Sequence, residues 1–171
     1  MPKGMQAIYT QTASSGGASS IVFNNIPQTY TDIVIEGSTR ISLSSVLEYN
    51  AFRFNNDSSN NYSYTFLNGT GTSTYPSRNQ NASFWFASTN GSNNTANVFG
   101  SFKLTIPNYS GSNFKSGLIE CINENNSTAA YMDMHASLYR SNAPITKIEI
   151  SSLSGGTLVQ HSTFTLYGIS R

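Results

Sequence analysis

Asp133, His135 and Ser137 bring an acid, an imidazole and a hydroxyl into five residues, the side-chain types that an orienting carboxylate, a base and a nucleophile would supply. They fall within residues 129–139, AAYMDMHASLY. On an extended chain they share one face with Tyr131 and Tyr139, because successive side chains of a strand point to opposite sides. Their spacing argues against a relay: side chains at i and i+2 stand about 6.6 Å apart and parallel, too far for direct hydrogen bonds. The row is therefore expected to be a polar face turned to water or to a neighbouring subunit, and Met132, Met134, Ala136 and Leu138 are expected to face the middle of the core.

No second constellation offers chemistry. The other histidine, His161, lies near a turn, and the single cysteine, Cys121, allows neither an intrachain disulfide nor a thiolate cage, so no metal-ligand spacing is met. Cys121 sits in the apolar run 118–122 and reads as a packed small residue. Of eight acids, Glu36, Asp133 and Glu149 occupy alternating segments as wet-face residues, and nothing in the spacing brings two together as glycoside hydrolysis requires. The glycines lie in Ser/Asn turns, away from the strand-to-helix junction that cradles phosphate. The chain is expected to be no enzyme, with no catalytic, metal or cofactor site.

The elements that would position these residues are strands. Charged residues make up 10% of the chain, against roughly 25% in ordinary globular proteins, whereas Ser, Thr and Asn supply 65 of its 171 residues. These three types bond to nearby backbone and suit strands and turns better than helix interiors. Twenty Phe and Tyr residues and Trp85 provide the apolar surface for a core. Alternating patterns and apolar runs predict strands over residues 6–12, 20–24, 31–38, 47–54, 62–67, 82–88, 98–106, 114–122, 129–139, 146–151 and 163–169, with Ile33 and Ile35 on a buried face; within residues 40–54, Leu43, Val46, Leu47 and Tyr49 also fit a short helix, and the extended run over 47–54 is the favoured reading. Phe84 and Phe86 fall on one side of their segment and Trp85 on the other. The expected fold is all-β, an antiparallel jelly-roll-like sandwich of about ten strands with little or no helix, formed by residues 1–171 as one domain.

Surfaces are harder to place. Tyr62, Tyr64, Tyr75 and Tyr109 lie in or beside polar loops and are candidate interface residues, as are Asp133 and His135. Trp85 is expected to fill the core or a subunit interface, with a sugar-stacking platform as the alternative. Residues 68–81 form the longest stretch without apolar periodicity and are expected to be a loop and a contact surface. A net charge of +1 without a basic cluster excludes the footprint of a nucleic-acid binder. No apolar run approaches the roughly 20 residues that span a bilayer, and the N-terminus lacks a signal-peptide centre, so no membrane partner is expected and synthesis is expected in the cytoplasm.

The series IPQTYTDIVIEGS (26–38), FRFNNDSSNNYSYT (52–65), FGSFKLTIPNYSG (99–111), AAYMDMHASLYRS (129–141) and STFTLYGISR (162–171) resembles a family of tailed-phage virion proteins, found as short structural proteins or as modules of fibres. The resemblance covers nearly the whole chain, and its motifs are strand-and-turn signatures with no catalytic site among them. It implies a virion location and a β-sandwich module. The pattern starts near Met1 and ends at Arg171 without a stalk, so the expectation is a capsid decoration, or cement, protein on the capsid exterior. It would bind the major capsid protein and itself, as a homo-oligomer with three-fold symmetry. The competing expectation is a tail-fibre module that recognises a host surface glycan; a glycan-degrading enzyme is a third.

Overall fold

The computed structural model describes residues 4–124, 126 and 128–170, and among them every regular element is a strand. In chain order these are β1 (Gly4–Thr12), β2 (Ser20–Phe23), β3 (Asp32–Thr39), β4 (Leu47–Phe54), β5 (Tyr62–Gly69), β6 (Thr74–Ala82), β7 (Trp85–Asn90), β8 (Gly100–Pro107), β9 (Lys115–Glu124), β10 (Ala130–Tyr139), β11 (Ile148–Ser152) and β12 (Thr163–Ser170). The polar run 123–128, NENNST, reads as a loop from its composition; its first two residues belong to β9, and Asn125 and Ser127 lie outside the described residues. Tight connections use asparagine heavily: Asn25, Asn55, Asn56, Asn97, Asn108 and Asn126 all have positive φ, a conformation that asparagine tolerates better than most residues.

Two antiparallel sheets form an unequal sandwich. The wide sheet runs β1-β12-β3-β8-β9-β10-β5-β6, and the narrow one β2-β11-β4-β7. Ile33 and Ile35 point inward as expected, with Phe102, Leu104 and Ile106 beside them, and meet Phe52, Phe54, Ile148 and Ile150 of the narrow sheet. Each such side chain removed from water contributes about 1.5–3 kcal/mol before the entropy of ordering is subtracted.

The structure corrects two expectations. First, the faces of β10 are reversed. Asp133, His135 and Ser137 are buried, whereas Met132, Met134, Ala136 and Leu138 are exposed. Tyr139 shares the row of Asp133 and is an inward anchor, stacking on Tyr62 at 4.7 Å and meeting Phe54 edge-on at 5.2 Å. Pairing of Asp133 with Cys121 and of His135 with Ile119 then aligns that row with the buried row of β9.

Second, the expected loop over 68–81 contains β6. This edge strand pairs with β5 from Thr74 opposite Gly69 to Ala82 opposite Tyr62. It is exposed along nearly its whole length, so backbone pairing holds it and no apolar alternation is required. Pro76 and Arg78 are residue types found on edges, where further pairing is unwanted.

Both side-chain rows of β7 are buried, although it is an edge strand of the narrow sheet. Trp85 meets Phe54 and donates its indole N–H to the Leu138 carbonyl at 3.1 Å, whereas Phe86 packs against Tyr49, Tyr64, Phe66 and His135. Gly117 makes room for the indole, because a Cβ there would lie 2.6 Å from Trp85 Cζ3.

Candidate functional site

Strand alternation places Cys121 and Asn123 of β9 on the inner face beside Asp133 and His135 of β10, and β7 lays Ser88 across them from the other sheet. Ser88 donates its hydroxyl proton to Asp133 Oδ2. Asn68 on β5 donates to Asp133 Oδ1, and Asn123 Nδ2 donates to Ser88 Oγ at 2.5 Å. The carboxylate is thus held between the sheets by neutral donors, which offset part of the cost of removing it from water.

His135 differs. Its ring lies between Phe66, stacked at 5.2 Å, and Phe86, edge-on at 4.5 Å. Neither Nδ1 nor Nε2 has a hydrogen-bond partner. Burial pushes the imidazole down to about 4, against the opposing attraction of the Asp133 carboxylate. Burial first and Asp133 second push the Cys121 thiol up to about 12, against hydrogen bonding with Ser88. Ser137 Oγ also lacks a partner, so the row contains no hydrogen-bonded nucleophile and base. One donor atom each from Cys121, Asp133 and His135 lies within 4.8 Å of the others, the arrangement among the described residues that could hold a metal ion. Eleven residues separate Cys121 from Asp133, a spacing that matches no ligand motif and closes only through the β9–β10 register.

The opposite face of the same strands is open and largely apolar, interrupted by exposed Glu120, which faces Met134. Leu67, Leu118, Ile122, Met132, Met134 and Leu138 are each 36–58% exposed. Register makes much of this surface continuous: Ile122 faces Met132, Met134 faces Leu67, and Ala136 faces both Leu118 and Thr65. Toward β3 the surface turns polar, with Glu120 opposite Lys103 and Lys103 opposite Glu36. A groove of about 550 Å³ runs there, bordered by Glu36, Lys103, Glu120, Ile122 and Tyr167.

The candidate interface residues separate accordingly. Tyr75 is 57% exposed, and Tyr64 is half-buried. Tyr62, Trp85, Tyr109, Asp133 and His135 are inside the folded chain, so a surface role for them is corrected. Trp85 in particular is fully enclosed and offers no face to a sugar. The exposed methionines and isoleucine were missed because alternation identifies two faces without saying which one is wet. Compared with known protein families, with curated proteins and with solved structures, the chain matches none of them.

Proposed function

We propose that this chain is a virion structural protein, a capsid decoration protein that binds the outer shell and other copies of itself through the outer face of its wide sheet. The observation that carries the reading is the patch of six large apolar side chains on β5, β9 and β10. Contiguous apolar surface rimmed by polar residues is the usual anatomy of a site covered by a partner. Methionine at its centre adapts to surfaces of varying shape. Low charge supports the same reading, since unpaired charges are costly to bury whereas Ser, Thr and Asn are readily satisfied locally or through water. Copies arranged about a three-fold axis would repeat each contact and resist shell expansion through avidity.

Co-sedimentation of the purified chain with expanded empty capsids of the phage that carries the gene tests this. Binding at micromolar concentration is expected, and it should be lost in a folded Ile122→Asp/Met134→Asp variant. Failure of the wild-type chain to bind, or undiminished binding by the variant, would overturn it. The groove beside Tyr167 favours a second reading, a receptor-binding module for a host glycan. Glycan-array binding that disappears in Tyr167→Ala, without capsid binding, would support that alternative.

A further inference from the structure

The geometry points to a buried site for a zinc-class divalent cation formed by Cys121 Sγ, a carboxylate oxygen of Asp133 and an imidazole nitrogen of His135. The three donor atoms come from two paired strands and already lie within 4.8 Å of one another. Tetrahedral zinc holds neighbouring sulfur, nitrogen and oxygen ligands about 3.5 Å apart, so side-chain rotation of roughly 1 Å would close the set. The independent observation is His135. It is fully buried, and both ring nitrogens lack a hydrogen-bond partner, a rare condition for an interior polar group. Coordination through one nitrogen would satisfy it.

Charge and ligand type narrow the ion. The hydrogen-bond donors to Asp133 are Asn68 and Ser88, both neutral, so nothing in that set balances its negative charge. A divalent cation with one thiolate and one carboxylate makes a neutral unit that the interior tolerates. Thiolate with imidazole suits zinc and disfavours magnesium and calcium. Loading releases the Cys121 proton to solvent, while the histidine enters neutral. The surroundings resemble an outer coordination shell: Asn68 and Ser88 hold the carboxylate, and Asn123 holds Ser88. A cavity of about 200 Å³ that borders Asp133 and Asn68 extends to exposed Tyr75 and brings open space to the carboxylate side of the cluster. The ion would tie β9 to β10 behind the apolar outer face, independently of what that face binds.

The test uses the full chain, reduced, stripped with chelator while unfolded, and refolded with cobalt(II) as the spectroscopic substitute for zinc. One tightly held cobalt per chain is expected, with a thiolate-to-cobalt charge-transfer band, tetrahedral visible bands and a melting temperature that rises with metal concentration. Cys121→Ser should lose the charge-transfer band, and His135→Phe, which keeps the ring contacts, should bind at least tenfold more weakly while circular dichroism reports a folded chain. His161→Ala should leave binding unchanged. Absence of retained metal, retained metal without the thiolate band, or undiminished affinity in both ligand variants would overturn the assignment.

Discussion

Ser88 on β7 donates its hydroxyl proton to the Asp133 carboxylate on β10, so a buried polar contact joins the two sheets. The same hydroxyl accepts from Asn123. Ser88→Ala removes both functions and leaves a buried carboxylate and a buried amide short of partners. A loss of about 2 kcal/mol, or somewhat more, is expected in metal-free protein. Urea unfolding at neutral pH with an unchanged m-value would show it; a cost under about 0.5 kcal/mol would mean that water replaces the hydroxyl.

His135 makes stability depend on pH. With a folded-state value of about 4 against 6.5 for the free group, the unfolded chain binds a proton between these pH values that the folded chain refuses. More protons bound in the unfolded state means that stability rises with pH, so it is highest above about pH 6.5 and declines as pH falls toward 4. The full contribution is roughly 3 kcal/mol at about 1.4 kcal/mol per pH unit. Unfolding of chelator-treated protein at pH 7.5 and 4.5 should reveal it, and His135→Phe should flatten this part of the profile.

The reversed faces of β10 lead to opposite outcomes for neighbouring substitutions. Met134 is 45% exposed, so Met134→Asp should change stability by less than about 1 kcal/mol. Trp85→Ala, at a fully enclosed site, should cost about 3–5 kcal/mol. Thermal unfolding of the two variants side by side checks the assignment, and an unfolded Met134→Asp protein would contradict it.

Gly117 sits beneath the indole of Trp85. Gly117→Ala adds a methyl at 2.6 Å from Cζ3 and forces the ring or the strand to move, at a cost of about 1–3 kcal/mol. Trp85 is the chain's single tryptophan, so its fluorescence should report the displacement directly.

Cys121 is almost completely enclosed, and its thiol is pushed up to about 12 by burial. Only the thiolate attacks a disulfide reagent. In native, metal-free protein, labelling should therefore follow the opening of the β9–β10 region and become rapid in denaturant; prompt labelling of the native chain would mean that the site is open.

The sequence by itself determined the class of fold and most of its strands. Ile33 and Ile35 and the alternating residues 98–106 and 129–139 carry period-two patterning, and a chain poor in charge and rich in Ser, Thr and Asn has few helix-forming segments to compete. Backbone sterics likewise made asparagine a turn residue. Tertiary structure alone decided which face of each strand is wet. Period two is indifferent to a half-turn of the strand, and β10 offered methionines on one side and a polar row ending in Tyr139 on the other. Stacking of Tyr139 on Tyr62 and the approach of Ser88 from β7 selected the polar row for the interior. The same packing brought Cys121, twelve residues distant, beside Asp133 and His135. Edge strand β6 was likewise illegible, because a strand held by backbone pairing with most of its side chains in water leaves no pattern in its side chains.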